Sequence, residues 1–182
     1  SIDLGRGCPY QCSFCTIINV QGRKSRIRSA DDLEKIVREN VAEGIKRFFI
    51  TDDNFARNKD WEILFDRMIL LRKEGLNIGF TIQVDTLCHK IPNFIEKASA
   101  AGVRRVFIGL ENINPENLIA AKKRQNKITE YREMLQKWRN AGAITYAGYI
   151  LGFPADTKET IKRDIEIIKR ELPLDILEFF FL

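Results

Sequence analysis

The chain alternates short apolar runs with longer stretches in which apolar residues recur at helical spacing. The short runs show little polar alternation, which is typical of strands buried on both faces. They lie at 2–5, 47–51, 78–84, 104–110, 144–152 and 175–181. The helical stretches lie at 31–44, 60–75, 91–102 and 157–172, and a further one is broken near 122–127 and ends at Gly142. The pattern predicts six strands joined by five helical connections.

This alternation predicts an α/β fold with a parallel sheet. Right-handed units of this kind close into a full or partial barrel, or open into a doubly wound sheet, and periodicity does not separate the two. Both arrangements place functional residues in loops at the carboxyl ends of the strands. Because no linker interrupts the pattern, we expect one domain over residues 1–182. The chain begins and ends inside predicted strands without an initiator Met, so we expect a fragment of a longer protein.

Composition narrows the class of protein. The chain is 45% hydrophobic and 30% charged, as in soluble globular proteins, and no apolar run is long enough to span a membrane. The net charge of +5 permits an anionic partner, but basic residues mostly alternate with acids along helix faces. The densest basic run, "GRKSRIRS" at 22–29, lacks aromatic residues that stack on bases. We therefore expect no nucleic-acid partner.

Three of the four cysteines stand close together, directly after the first predicted strand: Cys8, Cys12 and Cys15. This distribution does not resemble a disulfide framework and indicates a reducing compartment, the cytoplasm, and a bound metal. Structural zinc sites and iron–sulfur clusters normally take four protein ligands, and the other candidates here are Cys88 and His89. With three ligands only, one coordination position stays open, which is typical of a reactive metal centre.

The CxxxCxxC spacing, with Phe14 before the last cysteine, resembles the radical S-adenosylmethionine (SAM) superfamily. The resemblance implies a parallel-stranded partial TIM barrel of the (βα)6 type. In this family the three thiolates hold a [4Fe-4S] cluster whose fourth iron binds SAM, and reductive cleavage of SAM yields a 5′-deoxyadenosyl radical. An electron donor such as flavodoxin or ferredoxin is implied as well. The alternative of another class is a zinc or iron–sulfur binding module without radical chemistry.

The resemblance extends to polar motifs after other strands. In "TDDNF", Asp52, Asp53 and Asn54 stand where the family binds the amino group of SAM, in place of the commoner Gly-Gly-Glu. In "FIGLEN", Glu111 and Asn112 would lie near the ribose or methionine part of SAM. The residues themselves leave a second interpretation open for both motifs, because acids and amides at such positions also cap helices.

Two further strands carry candidate SAM contacts. "GYILG" matches the family's adenine-binding pattern through Gly148, Ile150 and Gly152, although the acid that follows in the family is absent. A buried strand with small residues for packing is the alternative. Gln83 and Asp85, in "IQVDT", face either the pocket or a strand end.

Taken together, "DDNF", "GLENINPENL" and "ILGFPADT" most resemble the radical domain of cobalamin-binding (B12-dependent) members. That subgroup implies methyl transfer or ring rearrangement with cobalamin held by a domain outside this chain. The runner-up is the methylthiotransferase type, which modifies transfer RNA or protein with a second cluster. These residues contain no second cysteine group, and they do not indicate whether the substrate is a small molecule or a macromolecule.

Overall fold

The computed structural model describes residues 1–24 and 26–182; Ser25, within the basic run of the sequence, lies outside them. Seven strands are found there. They are β1 (Gly5–Arg6), β2 (Arg26–Ile27), β3 (Arg47–Phe49), β4 (Gly79–Val84), β5 (Val103–Glu111), β6 (Ile144–Leu151) and β7 (Ile176–Phe181). The last five form one sheet in which every pairing is parallel.

Seven helices connect the strands in the described part of the chain. They are α1 (Ile17–Val20), α2 (Ala30–Ala42), α3 (Trp61–Lys73), α4 (Phe94–Ala101), α5 (Pro115–Ala120), α6 (Tyr131–Asn140) and α7 (Lys158–Glu171). The predicted cap of α2 is confirmed, because the Ser29 side chain accepts a hydrogen bond from the Asp32 N–H. The predicted break near 122–127 is confirmed as well, since these residues separate α5 from α6. None of the described helices has both the length and the apolarity needed to cross a membrane.

The order of strands in the main sheet is β3-β4-β5-β6-β7, which is also their order along the chain. Each crossover therefore moves in the same direction across the sheet. Right-handed crossovers that never reverse direction place their helices on one face, whereas a doubly wound sheet needs a reversal. The topology thus decides between the two architectures that periodicity left open, in favour of a barrel-type sheet.

The first predicted strand, 2–5, differs from its prediction. Ile2 makes a single parallel bridge to Ile50, whereas Gly5–Arg6 turns away and pairs antiparallel with Arg26–Ile27. The cause is Asp52, whose Oδ1 accepts hydrogen bonds from the N–H groups of Leu4 and Gly5, each at 2.7 Å. The Asp52 carboxylate thus accepts the hydrogen bonds that these N–H groups would otherwise donate to β3 if residues 2–5 were a sixth strand of the main sheet.

The core fills one face of the main sheet. Apolar residues of α2, α3, α4 and α6 pack there against alternate residues of the strands, such as Phe48 and Phe80, whose rings stack at 5.7 Å between centroids. On the other face, Gln83, Gly109 and Gly148 occupy strand positions. Small or polar residues at these positions leave space above the sheet.

Candidate functional site

A cleft opens at the carboxyl ends of the strands. All three clustered cysteines line it, together with Phe14 of the same loop. Five more residues predicted from sequence line it from the strand ends: Asp53, Asn54, Gln83, Asp85 and Glu111. The cleft thus brings together nine of the predicted site residues, from loops far apart in the sequence.

The three clustered thiols are free and are partly or fully buried. Cys12 is buried, whereas Cys8 and Cys15 are half-buried. Burial raises the pKa of the Cys8 thiol, and the nearby Cys12 and Cys15 sulfurs raise it further. Three thiolates at this spot therefore repel one another unless a cation neutralises them. A cationic metal centre meets that requirement.

Among the described residues, no group of three Cys, His, Asp or Glu side chains is arranged as it would be around one metal ion. A zinc ion holds its ligands around one point, whereas in a cluster each thiolate binds a separate iron.

Cys88 and His89, the other ligand candidates in the sequence, are engaged elsewhere. Trp138 Nε1 lies 3.4 Å from the Cys88 sulfur as a donor, and complete burial raises the pKa of the Cys88 thiol to about 12. His89 Nδ1 lies 2.8 Å from the Thr86 carbonyl oxygen. Neither residue lines the cleft, so the described part of the chain presents three thiols to it and no fourth.

The predicted "TDDNF" motif divides into residues with different positions. Asp52 is buried away from the cleft, where burial raises its pKa although Asn58, Leu4 and Gly5 donate to its carboxylate. Asp53 lines the cleft, and its Oδ2 accepts a hydrogen bond of 2.6 Å from the Gly7 N–H. Both acids therefore hold the segment that leads into the cysteine loop.

Asn54 lines the cleft but is bound at both ends of its side-chain amide. Its Nδ2 donates to Asp85 Oδ2 at 2.9 Å, and its Oδ1 accepts from the Asp85 N–H at 3.3 Å. Asp85 is also paired with Arg57 through two hydrogen bonds of 2.6 and 2.8 Å. The Arg57 guanidinium lies 5.7 Å from the ring centroid of Tyr10, and burial with the nearby Asp85 charge raises the pKa of Tyr10 to about 12.

Gly7 determines the path of the backbone at the start of the cysteine loop. Its φ is +107°, and a Cβ there would lie 2.7 Å from the Lys24 carbonyl oxygen and 3.0 Å from that of Gly22. Backbone atoms cannot yield to such a contact as a flexible side chain would. We expect Gly7→Ala to displace Cys8 and to lower iron retention after anaerobic reconstitution at least about threefold.

The matched control for Gly7→Ala is Gly22→Ala in the same loop region. Gly22 also has a positive φ, +79°, but a Cβ there meets nothing within 4 Å. Both variants carry backbone strain, and only one carries a clash beside a cysteine. Iron content and thermal melting are the measurements; equal iron retention in the two variants would contradict the account of Gly7.

Glu111 and Lys123 form a charged pair at the cleft. The Lys123 ammonium bonds Glu111 Oε1 and also lies 5.6 Å from the ring centroid of Phe14. Glu111 itself sits at φ +64°, where the register between β5 and β6 shifts. An outlier backbone conformation of this kind, next to a cleft, is typical of a functional site. The pair places a cation and an anion beside the cysteine loop.

The four remaining predicted residues do not line the cleft. Asn112 is fully buried; its Nδ2 donates to the Ile150 carbonyl oxygen at 3.3 Å, and its Oδ1 accepts from the Asn114 N–H at 2.7 Å. Ile150 packs with Phe153, and a Cβ on Gly148 would lie 3.0 Å from Phe107.

Gly152, the last of the four, has φ +99° and ends β6 with its N–H bonded to Asp156 Oδ2 at 2.8 Å. The cleft residues that were not predicted from sequence include Tyr10 and Gln125. Tyr10 lies between two of the cysteines, which is a signal in the sequence. Gln125 lies in the basic segment "KKRQNK", which carries no local signal for it.

The structure is similar to solved structures of much longer chains. It aligns with the radical SAM methyltransferase TsrM from Kitasatospora setae, solved with cobalamin and a [4Fe-4S] cluster bound, at a TM-score of 0.86 and 21% identity, covering 99% of this chain and 33% of that one. The cobalamin-dependent SAM radical enzyme OxsB aligns at a TM-score of 0.78 and 20% identity, covering 96% and 27%. These likenesses confirm the predicted partial-barrel fold.

Curated relatives are similar in sequence across nearly the whole chain. The hopanoid C-2 methylase of Rhodopseudomonas palustris (strain TIE-1) is 28% identical over 178 residues, which cover 96% of this chain and 34% of the relative. The bacteriochlorophyllide d C-8(2)-methyltransferase of Chlorobaculum tepidum is 26% identical, covering 93% of this chain and 39% of the relative. The chain thus spans about a third of these relatives' length.

The family model described as the Radical SAM superfamily matches residues 2–168, which include the cysteine loop and the ends of the four main-sheet strands before β7. The match agrees with the cleft, the three thiols on it and the barrel-type order of strands. The chain belongs to the radical SAM superfamily of enzymes.

Proposed function

We propose that this chain is the radical SAM core of a cobalamin-linked methyltransferase, formed by one domain over residues 1–182. The observation that carries the proposal is the cysteine loop, which presents three free thiols to a cleft at the strand ends and no fourth ligand. Cys8, Cys12 and Cys15 would hold a [4Fe-4S] cluster. When bound, such a cluster supplies the electron that cleaves SAM to methionine and a 5′-deoxyadenosyl radical.

Asp53 is the residue of its motif best placed to bind the ammonium group of SAM. Asn54 is bound at both ends by Asp85, and Asp52 lies outside the cleft. Asp53 uses Oδ2 for the Gly7 N–H, and no hydrogen-bond partner of Oδ1 lies among the described residues. A carboxylate oxygen accepts a charge-assisted hydrogen bond from an ammonium.

Lys123 is the residue best placed to bind the carboxylate of SAM. Its ammonium lies in the cleft beside Phe14, where Glu111 holds it by an ion pair. Side chains of both residues are almost completely withdrawn from water. Charge pairing is stronger in such surroundings than in bulk solvent. Phe14 and Gln83 also line the cleft.

Methyl transfer is favoured by the names of the relatives. The hopanoid and bacteriochlorophyllide relatives are methylases, and TsrM and OxsB were solved with cobalamin. Methylthiotransferases are also among the relatives, at 27% identity. We favour methyl transfer because the cobalamin-binding enzymes TsrM and OxsB share the fold of this chain at TM-scores of 0.86 and 0.78. Cobalamin would be held by residues outside this chain.

The remaining parts of the proposal concern partners and location. The electron would come from a flavodoxin or ferredoxin, which are low-potential carriers of one electron. We propose a cytoplasmic protein, since thiols that must stay reduced to bind iron suit that compartment. Neither a nucleic-acid nor a membrane partner is proposed, because the basic run 22–29 carries no aromatic residues for stacking on bases.

Cleavage of SAM by the reconstituted chain tests the proposal. With a chemical reductant, the chain is expected to release methionine and 5′-deoxyadenosine, both measured by chromatography. Lys123→Ala is expected to weaken SAM binding about tenfold, because it removes a charge-assisted hydrogen bond. The iron content is expected to stay unchanged.

Lys127→Ala is the matched control, since Lys127 is an exposed lysine of the same segment that does not line the cleft. It should bind SAM as the unaltered chain does. A chain that loads iron yet neither binds nor cleaves SAM would contradict the proposed function. Equal loss of SAM binding in both lysine variants would contradict the role given to Lys123.

A further inference from the structure

Gln125 contacts the sulfur of Cys12 across 113 residues of sequence. Its side-chain Nε2 lies 3.6 Å from the Cys12 Sγ as a donor. Both residues are buried, at 9% and 7% exposure, so water does not compete for this contact. Thiolate sulfur accepts hydrogen bonds, and it does so more strongly in surroundings of low dielectric.

The segment that carries Gln125 is fixed to the cysteine loop and to the sheet. On the loop side, the Ser13 N–H donates to the Ala121 carbonyl oxygen at 2.9 Å. On the sheet side, Asn126 Nδ2 donates to the Leu110 carbonyl oxygen at 2.7 Å. Gln125 lies between these two attachments. Its amide is therefore held in place rather than swinging on a free loop.

We propose that Gln125 is a positioning residue that donates a hydrogen bond to the Cys12 sulfur and thereby raises the reduction potential of the cluster. This rests on the proposed function, in which Cys12 is a cluster ligand. Hydrogen bonds to the sulfurs are among the factors that set iron–sulfur potentials. Residues that hold the ligands tune a metal centre in the same way.

The direction of the effect follows from charge. Reduction adds one electron to the cluster and increases negative charge on its sulfur ligands. A donor N–H stabilises the more negative state more than the less negative one, so it favours reduction. The electron comes from a one-electron donor of low potential, and the amide keeps its proton. Gln125 acts through the Cys12 sulfur and takes no part in bond making or breaking.

A redox titration of the reconstituted chain, followed by electron paramagnetic resonance without SAM, tests the proposal. Gln125→Met keeps the length of the side chain and removes the donor. At a fixed solution potential, the ratio of reduced to oxidised cluster is expected to fall about threefold to tenfold, the range of one hydrogen bond. Gln125→Glu, which replaces the donor by a carboxylate, is expected to lower the ratio at least as much.

The control is Gln136→Met. Gln136 is an exposed glutamine of α6 outside the cleft, and its Nε2 donates to Asn140 Oδ1 at 2.8 Å instead of to a sulfur. Its replacement should leave the potential unchanged. A wild-type potential in Gln125→Met would overturn the proposal, as would an equal shift in the Gln136 control.

Iron uptake distinguishes a failure of the proposed function from a failure of the proposal for Gln125. If the unaltered chain takes up no cluster, the proposed function fails, and this proposal fails with it. If Gln125→Met is the one variant that takes up no cluster, Gln125→Asn replaces it in the redox titration. Its amide is one methylene too short to reach the sulfur, so the ratio of reduced to oxidised cluster is expected to fall in the same way. If no Gln125 variant loads while Gln136→Met does, Gln125 serves the folding of the loop, and the proposal is overturned.

Discussion

Cys12→Ala is expected to reduce iron uptake during anaerobic reconstitution from about four irons per chain to almost none. Cys12 is the buried member of the three clustered thiols, and its sulfur accepts the hydrogen bond of Gln125. The substitution leaves Cys8 and Cys15. A [4Fe-4S] cluster normally takes four ligands from the protein, and three in this account, so two thiols are not enough to hold it. Iron and sulfide analysis with the absorption spectrum is the measurement.

Cys88→Ala is the matched control for this experiment. Cys88 is as buried as Cys12, but it lies against Trp138 outside the cleft. The variant is expected to lose about 1 kcal/mol of unfolding free energy from the small cavity and the lost contact. It should load iron as the unaltered chain does. Normal loading in Cys12→Ala, or equal loss in Cys88→Ala, would contradict the assignment of ligands.

Asp52→Ala is expected to lower the free energy of unfolding by about 2–4 kcal/mol. The substitution leaves the buried N–H groups of Leu4 and Gly5 without an acceptor, and it also removes the partner of Asn58 Nδ2 at 3.0 Å. Since Gly5 leads within three residues to Cys8, iron retention should fall as well. Chemical denaturation and iron analysis of the two proteins are the measurements.

Asp52→Asn separates the hydrogen bonds from the charge. An asparagine keeps an oxygen that can accept from both backbone N–H groups, so most of the stability should remain. Asp31→Ala, an exposed acid of α2, should cost little, because surface ion pairs contribute about 0–1 kcal/mol. An unfolding free energy in Asp52→Ala equal to that of Asp31→Ala would contradict the anchoring role.

The parts of the fold that depend on local periodicity were predictable from sequence. The five strands of the main sheet follow apolar runs, and the cap at Ser29 follows its local spacing. Their order across the sheet was not predictable, because periodicity carries no information on how distant strands pair. The first predicted strand failed for a related reason. Its backbone donors bind a side chain 48 residues away, and no local pattern reports such a partner.

The candidate site shows the same division. The spacing of the cysteines is local, and all three reached one cleft as predicted. The roles of residues within a motif depend on which way each side chain turns. Asp52 and Asp53 are neighbours in sequence, yet one anchors the backbone below the cleft and the other lines it. No sequence motif marks Gln125 as a site residue. Its role follows from the contact with the Cys12 sulfur, which lies far away in the sequence.

The central claim is that three thiols hold a cluster with one iron left open to SAM. The most direct measurement is the electron paramagnetic resonance spectrum of the reduced, reconstituted chain with and without SAM. We expect the signal of a reduced [4Fe-4S] cluster whose shape changes when SAM is added, because a ligand then binds one of its irons. A tightly bound zinc without iron uptake, or a cluster signal that SAM leaves unchanged, would contradict the claim.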